Sequence, residues 1–170
     1  MAYYEKALLY AYPHLDEISN QIDDLVLKRA LGSFSDYSPC EEQAQIIIEM
    51  AYQKESLLSL KEDLNRILKK FSEGELIYFE YKYFKRKPKE YYINFNTTSR
   101  AYFRKQLKLI EKFKNLLKSE CMDEKWFYDT FSNCEFMMRL VERVSDYERS
   151  GRIVKTKLKF VSKNLLKKSA

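Results

Sequence analysis

The residues best suited to chemistry in this sequence are cations that recur at helical spacing between Ser99 and Phe113. With about 100° per residue and Phe103 set at zero, Leu107 and Ile110 fall within about 40° of Phe103. The opposite side of this helix carries one small residue and four cations: Ala101, Arg104, Lys105, Lys108 and Lys112. We therefore predict that the apolar face, with Phe103 at its centre, packs on a small core and that the cationic face meets a polyanion.

Charge is distributed unevenly along the chain, although the overall net charge is only +6. Residues 82–118 hold 12 Lys and Arg residues against 2 Asp and Glu residues, and residues 151–170 hold 7 against none. The two other segments are acidic, with 8 basic against 15 acidic residues in 1–81 and 4 against 8 in 119–150. Two basic blocks in an otherwise acidic chain predict a local attraction for phosphate groups.

The sequence contains no recognisable catalytic or metal-binding constellation. Its single histidine, His14, follows Pro13 and has no neighbour that would complete a nucleophile–base pair. Glycine-rich phosphate loops and ligands at metal-binding spacing are both absent. We therefore expect no enzymatic activity, no cofactor and no bound metal.

The cysteines and the hydropathy pattern predict a cytoplasmic protein. Cys40, Cys121 and Cys134 are odd in number and widely spaced, unlike a disulfide framework or a zinc site, so reduced thiols are expected. Residues 1–11 lack the features of a secretory signal. No window approaches the roughly 18 uninterrupted apolar residues of a membrane span, so no membrane partner is expected.

The fold class predicted from the sequence is all-α. Glycine and proline number 3 each, which leaves little turn chemistry for a sheet. Residues 15–32 place apolar side chains at every third or fourth position, and Gly32 ends this helix. Ser38 as cap, Pro39 as first helical residue and Glu41 in a capping box predict the start of a second helix, of roughly 30 residues.

Residues 1–70 are predicted to form an antiparallel helical hairpin, because two helices with a short connection pack most simply in that way. A scaffold is the simplest role for this hairpin. Since the second helix is much longer than the first, residues 39–70 could alternatively join copies of the chain into a homo-oligomer.

Residues 71–118 show the order of elements found in a helix-turn-helix unit. A capping box that begins at Ser72 opens the first helix. A basic break at 85–89 and a short helix at 90–94 precede a tight turn and the longer basic helix that starts at Ser99.

Parts of this unit resemble region 4 of bacterial sigma factors. The resemblance is carried by Phe71-Ser72-Glu73-Gly74-Glu75-Leu76-Ile77, by Lys82-Tyr83-Phe84, and by Thr98-Ser99-Arg100 with Phe103. Ile93 and Thr97 depart from the family, which usually has Ala and Gly at these places. With a helical hairpin in front, the layout is similar to small phage-encoded regulators of the RinA and ArpU type, which activate late or lysis-related genes. The resemblance implies a DNA-binding regulator.

The predicted function is that of a transcriptional regulator that binds double-stranded DNA sequence-specifically through the helix 99–113. Arg suits the O6 and N7 edge of guanine, whereas phosphate contacts set position without reading sequence. The residues predicted to read bases are Ser99, Arg100, Ala101, Arg104, Lys105 and Lys108. The residues predicted to contact phosphate are Lys85, Arg86, Lys87, Lys89, Thr98, Tyr102 and Lys112, of which Tyr102 could instead contact a thymine methyl.

Two other functions fit the same sequence. A phage small terminase subunit also couples a helix-turn-helix to a coiled coil, and a stable ring of subunits would favour it over a monomeric or dimeric regulator. A protein-interaction module would contact RNA polymerase or an anti-sigma protein through the hairpin. Full affinity for the protein partner with the basic helix neutralised would favour that function.

Residues 119–170 are predicted to form short helices followed by a basic tail. Asp123 or one of its neighbours starts one helix, and residues 132–135 cap another. Trp126 is expected to be a core anchor, with partner binding as the alternative. Residues 152–170 could be a strand, a frayed helix or a tail that becomes ordered on DNA.

Overall fold

Every element in the described part of the chain is helical. The computed structural model describes residues 3–32, 39–84 and 99–150. The α-helices of these ranges are α1 Tyr4–Ala11, α2 Leu15–Gly32, α3 Cys40–Leu68, α4 Glu73–Phe79, α5 Ser99–Ser119, α6 Glu124–Phe131 and α7 Glu135–Ser150. A 3₁₀ turn at Tyr12–His14 joins α1 to α2, and a π-helical segment at Glu80–Phe84 extends α4. The prediction of an all-α fold is confirmed for these ranges, which contain no strand.

Three predicted features lie outside the described residues. They are the cap at Ser38, the basic break with the short helix and turn at 85–98, and the basic tail at 151–170. The helix-turn-helix assignment depends on the second of these segments. It therefore stays a prediction, as does the role of the tail.

The short helix α1 lies at the centre of the core. Its apolar residues are all buried, with 8% of Tyr10 and at most 2% of each of the others exposed. They are Tyr4, Ala7, Leu8, Leu9, Tyr10 and Ala11. α1 contacts α7, α5 and the π-helical segment. The Lys6 Nζ atom lies 2.7 Å from Glu148 Oε1, and this ion pair ties α1 to the C-terminal end of α7. Helices that are far apart in sequence thus share one core.

Helices α2 and α3 pack against each other with opposite directions. Lys61 near the end of α3 pairs with Asp16 at the start of α2, the Nζ to Oδ1 distance being 2.5 Å. Arg29 near the end of α2 donates a hydrogen bond of 2.8 Å to Gln43 at the start of α3. Most buried residues of this pair lie in the half next to α1, where α2 begins and α3 ends.

The start of α3 differs from the prediction by one residue. Pro39 has an extended ψ of 136° and is the N-cap, so the prediction that it is the first helical residue is wrong. The physical reason is that its carbonyl already accepts the N–H groups of Glu42 and Gln43, at 3.1 and 3.2 Å, while its own backbone stays non-helical.

Two of the other predicted helix starts are confirmed. The capping box of Ser72 and Glu75 opens α4, and the Ser72 N–H donates to Glu75 Oε2 at 2.9 Å. The Asp123 carboxylate caps α6 by accepting the Trp126 N–H at 2.8 Å. These caps fix where α4 and α6 begin.

Candidate nucleic-acid interface

Helix α5 buries a face that is rotated by about 70° from the predicted one. Its most buried residues, none more than 6% exposed, are Gln106, Leu109, Ile110, Phe113 and Leu117. Phe103 and Leu107 are instead each 59% exposed. The prediction that these two residues belong to the core face is therefore wrong, although Ile110 is buried as predicted.

The rotation is caused by aromatic packing between α5 and the region of α4. The Phe113 ring, which is fully buried, lies 6.5 Å from the Phe71 ring and 6.1 Å from the Phe79 ring, measured between centroids. Leu117 is also fully buried. Because Phe113 and Leu117 must face this core together, Phe103 is carried out towards solvent.

Polar contacts with α4 fix the same orientation. The Lys112 Nζ atom lies 2.8 Å from Glu75 Oε2 and 4.6 Å from the centre of the Phe71 ring. The Lys105 Nζ atom lies 4.6 Å from the centre of the Tyr78 ring. Lys105 and Lys112, predicted to contact DNA, thus lie on the flank of α5 that faces α4.

Glu75 connects the cap of α4 to α5. The ammonium of Lys112 and the backbone N–H of Ser72 both donate to its carboxylate, and these bonds hold the pKa of Glu75 below its ordinary value. The carboxylate is therefore charged at neutral pH, as the ion pair requires.

Tyr102 lies on the same flank as Lys105. Its ring stacks on that of Tyr78, with centroids 5.5 Å apart, and its hydroxyl accepts a hydrogen bond of 2.8 Å from Gln106 Nε2. Burial raises the pKa of the Tyr102 hydroxyl above its ordinary value.

The outward face of α5 combines cations with apolar side chains. We call it the α5 strip, and it consists of the exposed residues Arg100, Phe103, Arg104, Leu107 and Lys108. The first four are spaced by three, four and seven positions, so they share one side of the helix. Among the described residues, none pairs with the three cations of the strip in a salt bridge. The strip thus presents three cations and two apolar side chains on the exposed side of α5.

The remaining predicted site residues fall into two groups. Ala101 is exposed beside the strip, and Ser99 is the first residue of α5. The predicted phosphate contacts that lie outside the described residues are Lys85, Arg86, Lys87, Lys89 and Thr98. Of the residues predicted to read bases, Arg100, Arg104 and Lys108 thus lie together on the strip.

No family model, curated protein sequence or solved structure matches the chain. In the ranges that the structure describes, no cluster of His, Cys, Asp and Glu side chains could hold a metal ion. None of the described helices combines the length and the apolarity needed to cross a membrane. The function of the chain is therefore inferred from α5 and the residues around this helix.

Phe103 and Leu107 are exposed on the candidate site although the sequence pattern predicts them to be buried. A helical wheel drawn only to residue 113 gives undue weight to the apolar residues of the first turns. A wheel extended to Leu117 includes Leu116 and Leu117, which shift the apolar centre towards the side that is buried. The length of α5 was the signal that could have corrected the orientation.

Proposed function

We propose that the chain is a sequence-specific regulator that binds double-stranded DNA by presenting the α5 strip to the major groove. The observation that carries this proposal is the strip itself. Arg100, Arg104 and Lys108 are exposed along about 12 Å of one helix, and the major groove is wide enough to admit an α-helix. Arg side chains in this position can donate two hydrogen bonds to guanine O6 and N7.

The charge of the sequence segment that contains the strip supports a polyanionic ligand. Residues 82–118 hold 12 basic residues against 2 acidic ones, and the acidic Glu111 is exposed on α5 beyond the strip. A carboxylate there is repelled by phosphate, so contact with DNA is confined to the N-terminal half of α5. That half is the part of a recognition helix that approaches the bases.

The packing of α5 supports a rigid reading helix. Phe113 and Leu117 are fully buried, and Lys112 is held by Glu75. A helix whose orientation is fixed before binding loses little conformational freedom on the DNA. Base readout therefore adds to an electrostatic attraction that the basic residues supply.

The test compares a base-reading residue with a phosphate-contacting residue. A preferred site is first selected from random duplexes with the full chain. On that site Arg104→Ala should cost about 1 to 3 kcal/mol of binding free energy and relax discrimination at one base pair. Lys87→Ala should weaken binding to every duplex alike and lower the salt slope by about one.

The matched control removes a cation from an acidic part of the chain. Arg143 is exposed on α7, and its replacement by Ala should leave affinity and salt slope unchanged. Equal losses in Arg104→Ala and Arg143→Ala would show that only total charge matters and would contradict sequence readout. If the unmodified chain binds no duplex at low salt, DNA is the wrong partner.

A further inference from the structure

We propose that Phe103, with Leu107 beside it, contacts the 5-methyl group of a thymine next to the bases that the arginines of the α5 strip read. This inference rests on the proposed function and names the base that the apolar part of the strip recognises. Phe103 and Leu107 are each 59% exposed and lie one turn apart, so they form a small apolar patch on the outward side of α5.

The position of Phe103 is the first argument for a base contact. It lies three residues after Arg100 and one residue before Arg104 on the exposed side of α5, and its ring makes an edge contact with the Tyr102 ring, with centroids 5.7 Å apart. In the major groove, thymine differs from the other bases by its methyl group, and Phe is one of the side chains that contact it. The strip thus pairs guanine readers with a thymine reader.

The surroundings of Phe103 are the second argument. Cations flank the apolar pair on the strip, with Arg100 before it and Lys108 after it. Such a patch complements base edges that offer hydrogen-bond acceptors beside one apolar group, as guanine next to the methyl group of thymine does in the major groove. A bilayer would need a larger apolar face, whereas the opposite side of α5 is occupied by the core.

The experiment removes the methyl group from the DNA and the ring from the protein. Each thymine of the selected site is replaced in turn by deoxyuridine, which keeps base pairing and lacks the methyl. At one position the unmodified chain should lose about four-fold in affinity, the effect of one buried methyl group. Phe103→Ala should bind the thymine and deoxyuridine sites equally, and Phe103→Leu should keep part of the preference.

Arg104→Ala is the matched control, because it lies on the same strip and has no apolar contact to lose. It should weaken binding to both DNAs and keep the thymine preference of the unmodified chain. If Phe103→Ala keeps that preference, or if the selected site contains no sensitive thymine, the inference is wrong while DNA binding stands. If the unmodified chain selects no site at all, the proposed function itself fails.

Other occupants of the strip give different results. A fall in the melting temperature of Phe103→Ala by several degrees would mean that another segment of the same chain covers the ring. A change in solution mass in that variant would mean that a second copy does. Binding of anionic lipid vesicles that disappears in Phe103→Ala, with no thymine preference, would assign the face to a membrane surface. Each of these results overturns the inference.

Discussion

Glu5 is an acidic residue in the first turn of the central helix α1, and only 4% of its surface is exposed. Burial raises its pKa, with a smaller contribution from the nearby carboxylate of Glu124. The ammonium of Lys114 and the backbone N–H of Glu5 itself oppose the shift. The folded chain therefore holds this proton more tightly than the unfolded chain does.

This shift predicts a pH dependence of stability. The contribution of Glu5 is fully present below the ordinary pKa of Glu, about 4.3, and is lost as pH rises through the raised pKa of the folded state. Glu5→Gln cannot ionise, so its stability relative to the unmodified chain should increase with pH. Urea unfolding of both proteins at about pH 4 and about pH 8 measures this difference, in which the other ionisable groups cancel. A difference that is the same at both values would contradict the prediction.

At the level of single elements, the orientation of α5 is the feature with the clearest energetic consequence. Phe113 is fully buried, and Phe103 is 59% exposed on the same helix. Phe113→Ala should lower the free energy of unfolding by about 3 to 5 kcal/mol, because it removes a core ring and leaves a cavity. Phe103→Ala should change it by no more than about 0.5 kcal/mol.

The two substitutions are controls for each other, since both replace Phe by Ala in α5. Chemical denaturation of the two variants and of the unmodified chain measures both effects. Equal losses of stability would mean that both faces of α5 are covered. A larger loss of stability in Phe103→Ala would show that Phe103 lies in the core, which is the orientation of α5 first predicted from the sequence.

Features set by neighbouring residues could be predicted from the sequence. The caps at Ser72 and Asp123 depend on a side chain and a backbone N–H that are three residues apart, so their pattern is visible in the chain. The exposure of Arg100, Arg104 and Lys108 was also predicted from the sequence, because exposure is the default for charged residues.

Features set by distant residues could not be predicted in the same way. The rotation of α5 depends on Phe71 and Phe79, which meet Phe113 only in the folded chain. Phe103 therefore looked like a core residue, because the local pattern supports two overlapping apolar faces. The central position of α1 likewise depends on α7, which begins more than a hundred residues later.

Across the whole molecule, charge divides the chain into acidic and basic segments, whereas the core is shared by helices from all of them. Residues 1–81, which include the α2 and α3 pair, hold 15 acidic against 8 basic residues, whereas residues 82–118 are basic. Phosphate should repel the first segment and attract the second, so the charge asymmetry would orient the chain on a polyanion before contact. The core does not follow this division, because its buried residues come from 1–70, 71–118 and 119–150 alike.

A shared core predicts that the described helices unfold as one unit. Trp126 is the single tryptophan of the chain and lies half-buried in α6, with its ring 5.7 Å from that of Phe131. Its fluorescence reports on the C-terminal helices, while circular dichroism is dominated by the longest helices, α2, α3 and α5. The two signals should follow one denaturation curve.

Leu8→Ala, which removes a fully buried side chain of α1, should lower the free energy of unfolding by about 2 to 5 kcal/mol and shift both curves equally. If only the fluorescence curve moved, the C-terminal helices would be a separate unit and α1 would stabilise them alone.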